Sequence, residues 1–343
     1  MGFHGTAVNG IIGARGNNNL GVAGINWTVQ LMNLANVEYE SEIIAGYLYV
    51  AKMRHLYNSS NGAKGAFVVA TNSSFGIDGE RASEHPLWCA AYDSLGVVGV
   101  ISVGATSNSN VNVDIEGDMP STCTSQYLIT VNSVDNFDKK VSGTGFGAVS
   151  IDLGAPGKSA YTTRSVGTTP DYGFFDGTSA ATPHVTGAVG LLYSLDCSNL
   201  TLDALTQPAT CAKRIRSLIL DNVSPNITLS GITTTGGRLD VSKAAKAVQN
   251  LCGGAPTGPL EILWIGPNPV ETTLKARFQV PTYTTYQVRV FNLLGQQLFE
   301  GEYTPDPFGV STWEFDASWL PKGVYTLSLG RGDKVRSEKF VKK

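Results

Sequence analysis

The apolar residues of this 343-residue chain change their period once, around Cys-Gly-Gly-Ala-Pro-Thr-Gly-Pro-Leu (252–260), and that change calls for two folds in series. Before it, AFVVAT (66–71), VVGVISV (97–103), YLITVNSV (127–134) and VSIDLGA (149–155) read as strands. Between them, residues 41–57 and 85–96 carry apolar side chains three and four apart, as amphipathic crossover helices do. This alternation predicts a doubly wound, mostly parallel α/β sheet covered on both faces. After the glycine- and proline-rich stretch, LKARFQV, YQVRVFNLL, STWEFDAS, VYTLSLG and VRSEKFV alternate with period two between turn residues. They predict a small all-β sandwich. The expected domains are therefore 1–252 and 261–343, joined by a linker at 253–260. The Arg-Gly-Asp of GRGDKV (330–335) fits the last hairpin turn, since glycine and aspartate are ordinary turn residues.

A formal net charge of −3 gives no basic face, so nucleic acid is not an expected partner. No apolar run reaches the roughly 18 residues of a membrane span, and the first residues lack the pattern of a signal peptide. The chain is thus either cytosolic or written without its leader. Five cysteines occur without a C-x-x-C pair, which removes support for zinc and thioredoxin-like sites. Cys89 with Cys123, and Cys197 with Cys211 or Cys252, are the disulfides considered, and the odd number leaves one cysteine over.

The stretch DGTSAATPHVTGAVGLL (176–192) carries the strongest chemical signal. Ser179 follows Gly-Thr at an expected loop-to-helix junction, and Val185, Ala188, Val189 and Leu192 form the apolar stripe of the helix. A serine there can simply cap the helix. The same geometry also suits a nucleophile, because free N–H groups and the positive end of the helix dipole lie beside its oxygen. Pro183 sits one turn in, where its missing donor is tolerated only near the helix start. A nucleophilic serine needs a base. Of the four histidines, His55 lies on a helix ending in polar residues, His85 precedes Pro86 at a helix start, and His184 lies on the helix of Ser179 itself. His4, followed by Gly5 and Thr6 and then by apolar residues at helical spacing, is the candidate.

His-Gly-Thr (4–6) and GTSAATPHVTG (177–187) resemble the histidine and serine motifs of the subtilisin-like serine proteases, in the same order. GVAGINWTVQLMNL (21–34) resembles the strand after the family's histidine helix, and Ala-Pro-Gly (155–157) the tripeptide before its serine motif. The resemblance spans nearly all of residues 1–250. It implies that Ser179 is the nucleophile and that His4 takes its proton and returns it to the leaving amine. It implies that Asn108, reached by ungapped alignment of GVISVGATSN (99–108), donates to the oxyanion, with Asn110 two residues away as the competing reading. It further implies that Ser74, Phe75 and Gly76 pair with an extended substrate, and that with Val103, Gly104 and Ala105 they line the pocket for the residue preceding the scissile bond. No cofactor is required for such catalysis.

The family's aspartate lies about thirty residues before its histidine, and no aspartate here has the expected Asp-Thr/Ser-Gly context. The chain is therefore expected to begin between the aspartate and the histidine, leaving one edge of the sheet without its strand. Giving the role to Asp114 or Asp118 would need a different topology. Their acidic run NVDIEGD (112–118) reads as a solvated loop, with a structural calcium site as the alternative.

In the C-terminal part, GPNPV (266–270), VRVFNLLGQQL (288–298), FDASWLPKGVYTLSL (315–329) and the basic end EKFVKK (338–343) resemble the sorting domain of proteins exported by the type IX secretion system of Bacteroidota-like bacteria. This implies recognition by an export machinery, a destination at the cell surface or in the medium, and an environment that permits disulfides. Two functions follow. One is an exported serine endopeptidase acting on proteins or peptides, its activity in this form limited by the absent aspartate. The other is a non-catalytic surface protein that uses the same fold for binding.

Overall fold

A computed structural model describes residues 3–35, 39–166, 169–195, 197–252, 260–279, 285–303 and 310–343. The expected linker lies outside them apart from Leu260. The chain divides into two compact units, Met1–Cys252 and Gly253–Lys343.

In the first unit the chain runs α1 (Phe3–Gly13), α2 (Glu40–Ser59), β1 (Ala70–Ser73), β2 (Ile77–Asp78), α3 (Pro86–Val97), β3 (Ile101–Ala105) and α4 (Val113–Glu116). It continues through β4 (Asp118–Met119), β5 (Leu128–Val134), β6 (Leu153–Pro156), β7 (Ala160–Val166), β8 (Thr169–Phe175) and α5 (Thr178–Tyr193). It closes with α6 (Ser198–Thr206), α7 (Pro208–Leu220), β9 (Ser224–Pro225), β10 (Gly237–Arg238) and α8 (Val241–Cys252). Six strands form the main sheet in the order β1-β3-β5-β6-β10-β9. All neighbours are parallel except β10 and β9.

Strand alternation sends successive side chains to opposite faces, and each face is covered. Ile101, Val103, Ile129 and Val131 enter a core with Ala181, Val185, Ala188 and Val189 of α5. Leu128 and Val100 join Ile43, Tyr47, Trp88, Tyr92 and Leu95 from α2 and α3 in a second core. The polar groups on that side are satisfied: Trp88 Nε1 donates to the Tyr92 hydroxyl (2.9 Å), and the Tyr47 hydroxyl bonds Tyr92 (3.1 Å) and Ser73 (2.6 Å).

The parallel strands are shorter than their apolar runs. The ladder begins at Ala70 rather than Ala66, at Ile101 rather than Val97 and at Leu153 rather than Val149. Apolar character reports burial, whereas a ladder needs a neighbour in register. Residues 21–34, expected to contain a strand, form none; Trp27, Leu31, Met32 and Leu34 are exposed, and no described strand pairs with the segment. Among the described residues, the edge of β1 away from β3 also has no partner.

Cys89 bonds Cys123 and Cys197 bonds Cys252, while Cys211 remains a buried thiol. The second bridge joins the start of α6 to the end of α8 across 55 residues, a long loop to close in the unfolded chain. Replacing Cys197 and Cys252 together by serine is expected to cost about 2 to 4 kcal/mol in urea unfolding. An unchanged urea midpoint would show that the bridge constrains nothing.

The second unit contains β11 (Glu261–Gly266), β12 (Thr273–Gln279), β13 (Tyr286–Asn292), β14 (Gln297–Tyr303), β15 (Val310–Asp316), β16 (Gly323–Arg331) and β17 (Lys334–Lys342). They form a three-stranded antiparallel sheet, β11-β12-β15, and a four-stranded one, β14-β13-β16-β17. Leu274, Ala276 and Phe278 from the first meet Val288, Val290, Leu327 and Leu329 from the second in one core, as period-two strands require. Arg331 pairs with Lys334, so Gly332 and Asp333 form the tight turn between β16 and β17, with Gly332 at φ 57°.

Candidate active site

Ser179 is the second residue of α5. Gly177, at φ 103°, turns the chain into the helix, and a Cβ there would approach Asn108 Oδ1 to 2.8 Å, so position and conformation both demand glycine. Pro183 has no N–H to give the carbonyl four residues back, which is that of Ser179. The Ser74 hydroxyl takes that carbonyl at 3.0 Å, while the Ser179 hydroxyl donates to the Ser74 carbonyl at 3.1 Å. The proline thus frees a polar group that ties the serine helix to the end of β1.

Asn108 follows β3. Its Oδ1 accepts from the Thr178 N–H (3.0 Å) and the Thr178 hydroxyl (3.1 Å), and that hydroxyl also donates to the Thr106 carbonyl (2.6 Å). With the oxygen held on this side, the Nδ2 group is the donor Asn108 can offer next to Ser179. The N–H of Ser179 belongs to the first helical turn, whose donors lack acceptors within the helix. These two donors can face an oxyanion. Asn110 is turned to Lys140, whose Nζ donates to its Oδ1 at 3.3 Å.

His4 opens α1 on the stripe of Ala7, Val8, Ile11 and Ile12, which packs with Phe175 and Ala180, the second of these next to Ser179. Thr162 and Thr163 of β7 donate to the carbonyls of Ala7 (2.8 Å) and Thr6 (2.7 Å), holding α1 in place. The His4 ring meets Phe175 edge-on at 5.3 Å, and partial burial pulls its pKa below the usual histidine value. A lowered pKa keeps the imidazole neutral near pH 7, the form a base requires. His4 and Ser179 are nevertheless not hydrogen-bonded, because the serine hydroxyl is engaged with Ser74. Among the described residues no carboxylate pairs with His4, so nothing orients the imidazole from its far side.

The other histidines have different occupations. His184 is half-buried and its ring N–H donates to the Ala180 carbonyl at 2.9 Å. His85 lies between Glu40 (2.9 Å) and Glu80 (3.5 Å), and the Glu40 hydrogen bond leads in raising its pKa. His55 is exposed on α2.

Ser74, Phe75 and Gly76 continue from β1, beside the end of β3, where Ser73 pairs with Gly104. Phe75 is exposed, and Gly104 and Ala105 are buried. Val103 cannot line a pocket with its side chain, since alternation along β3 turns it into the core under α5.

The acidic run is not a solvated loop. Val113 to Glu116 form a short helix, Asp114 accepts the N–H groups of Val149 (3.0 Å) and Ser150 (2.9 Å), and Asp118 is 1% exposed. Asp118 accepts hydrogen bonds from Ser121 and from Thr106 (3.2 Å). Burial pushes its pKa up to about 7, against the pull of those two hydroxyls. Polarity alone suggests exposure at Asp118; Gly117, which breaks it from the acids upstream, and the apolar Met119-Pro120 that follow it are the signals of burial in the sequence. Among the described residues no three His, Cys, Asp or Glu side chains gather as a metal site, and no helix is long and apolar enough to cross a membrane.

Comparisons with known proteins cover both units. Residues 2–253 match the subtilase family, and residues 265–343 match the secretion system C-terminal sorting domain. Thermitase of Thermoactinomyces vulgaris is 29% identical over 243 residues, 71% of this chain and 75% of that protein. An extracellular protease of Xanthomonas campestris is 30% identical over 209 residues, 58% of this chain and 34% of that protein. An extracellular basic protease of Dichelobacter nodosus is 30% identical over 200 residues, 56% of this chain and 31% of that protein. The chain thus spans about a third of the length of the latter two. A solved protease from Pseudoalteromonas arctica superposes with a TM-score of 0.55 at 23% identity, covering 71% of this chain and 70% of that one. The likeness to that structure is one of fold.

Proposed function

Because the chain belongs to the subtilase family, we propose that its first unit is a serine endopeptidase that cleaves proteins or peptides through an acyl-enzyme. The observation that supports this reading is that Asn108 bonds Thr178 and the helix bearing His4 packs on Ala180, the two neighbours of Ser179 at the start of α5. An extended peptide runs along Ser74 to Gly76. His4 removes the proton from Ser179 Oγ as the oxygen attacks the carbonyl, and Asn108 Nδ2 with the Ser179 N–H receives the oxyanion. The tetrahedral species collapses as His4 passes the proton to the leaving amine, and water then releases the acyl group by the same steps.

Asn108→Ala removes one of the two donors. It is expected to lower kcat by about 10²–10³, the loss seen when the corresponding donor is removed from subtilisin, with little change in KM. An equal fall after Asn110→Ala would reassign the hole.

The Ser179–Ser74 hydrogen bond, which occupies the serine hydroxyl, favours a second reading, a non-catalytic surface protein. Incubation with a fluorophosphonate, followed by peptide mapping, separates the two. Adduct on Ser179 supports the hydrolase, and an unmodified Ser179 in the folded chain supports the binding protein.

The second unit is proposed to direct export by the type IX system, after which it is removed or serves to attach the first unit to the cell surface. The two disulfides of the first unit agree with that destination.

A further inference from the structure

We propose that Asp118 forms the floor of the recess for the residue preceding the scissile bond and selects a cationic side chain, lysine or arginine, at that position. The proposal rests on the hydrolase reading and names its substrate class.

A closed circuit of contacts puts the carboxylate there. Ser179 and Ser74 are joined by their reciprocal hydrogen bonds. Two residues on, Gly76 presses so closely on the Met119 carbonyl that a Cβ would come within 2.0 Å of it. Met119 follows Asp118, and β4 pairs with β2 so that Asp118 lies directly opposite Asp78. The Thr106 hydroxyl reaches Asp118 at 3.2 Å from the end of β3, and the Thr106 carbonyl accepts from Thr178, the residue before Ser179. The carboxylate is therefore enclosed by the two segments, Ser74–Gly76 and Gly104–Thr106, that flank the nucleophile. Glycine lets both segments pack this closely on the residues after Asp118: a Cβ would stand 2.0 Å from the Met119 carbonyl at Gly76 and 3.0 Å from the Pro120 ring at Gly104. Exposed Phe75 at the rim offers an apolar surface for the methylene stem of a long cation.

The chemistry of the floor is that of a charge without a counter-ion. The donors to Asp118 are the Ser121 and Thr106 hydroxyls and the Ser107 amide, and the charged group acting on it is another carboxylate, Asp78. Arg81 packs beside Gly117 but gives its guanidinium to the Ile115 carbonyl. A buried carboxylate without a cation is unfavourable, and a guanidinium or ammonium delivered by the substrate would relieve it through charge-assisted hydrogen bonds. An apolar side chain would leave it buried and unpaired.

The test uses the full chain carrying Ser179→Ala, so that binding is measured without turnover. The probes are two fluorescent N-acylated tetrapeptides, identical except that one ends in arginine and the other in citrulline, its uncharged isostere. The arginine peptide is expected to bind at least tenfold tighter, with the ratio growing from pH 6 to pH 8 as Asp118 ionises. In Ser179→Ala/Asp118→Asn the ratio should fall to about one. Equal affinities, absence of binding by both peptides, or a preference that survives in the folded double variant would overturn the proposal. The arginine–citrulline comparison requires no change at Asp118, so misfolding of the double variant cannot mask the answer. Fluorophosphonate labelling of the unaltered chain tests the hydrolase reading separately: adduct on Ser179 without peptide discrimination overturns only the charge selection.

Discussion

Ser179→Ala is expected to abolish fluorophosphonate labelling and to lower peptide hydrolysis by about 10²-fold, because no described carboxylate pairs with His4 and in subtilisin removing the serine costs about 2 × 10⁶ where removing the aspartate has already cost roughly 3 × 10⁴, without additivity. The size of the effect follows from the step removed: without Oγ there is no covalent intermediate, and the residual rate would come from the proposed oxyanion donors and substrate positioning alone. The variant should fold. The Ser179 carbonyl that accepts from Ser74 belongs to the backbone and survives the substitution, and only the reverse hydrogen bond is lost. The starting rate matters to the comparison. In subtilisin, loss of the aspartate alone costs roughly 3 × 10⁴ in turnover. If the unaltered chain hydrolyses peptides at a rate that Ser179→Ala leaves unchanged, the hydrolysis comes from a contaminant or another group. Labelling that persists in Ser179→Ala rules out its nucleophilic role.

Asp118→Asn is expected to stabilise the protein relative to the unaltered chain as pH rises. Burial lifts the folded pKa from 3.8 to about 7, so between those values the native state holds a proton that the unfolded chain releases. Stability contributed by this group is therefore complete at low pH and falls as pH rises, reaching a loss of about 4 kcal/mol above pH 7. An asparagine in the same place has no such dependence. The difference in unfolding free energy between the two proteins should shift by about 2.5 kcal/mol in favour of Asp118→Asn between pH 5 and pH 8. The other titrating groups, including His4 and His85, are present in both proteins and cancel to first order. Urea melts at several pH values provide the measurement, and a pH-independent gap would show that Asp118 carries no buried charge.

Parts of the candidate site were legible as local pattern. Gly177, Ser179 and Pro183 announce a helix start whose early carbonyl needs an outside donor, and His4 with Ala7, Val8, Ile11 and Ile12 announces a histidine on a buried stripe. Ungapped alignment favours Asn108 over Asn110, but both stand in the same polar turn, where residue type alone does not tell them apart. Thr178 and Lys140, 70 and 30 residues away in sequence, distinguish them. Val103 was assigned to the pocket as one of three consecutive residues, yet a strand sends its neighbours to opposite faces. Residues 21–34 have the composition of a strand and no ladder, since pairing belongs to two segments rather than one.

By itself the sequence determined the change of period that separates an α/β unit from a sandwich, and the glycine and proline that set Ser179 at the mouth of its helix. These are consequences of backbone sterics and residue spacing, which act over a few positions. The tertiary structure alone decided which asparagine bonds Thr178 beside Ser179, which cysteine stays free, and that Asp118 is buried rather than solvated. Each of these depends on desolvation and hydrogen bonding by groups remote in the chain, which residue type cannot report.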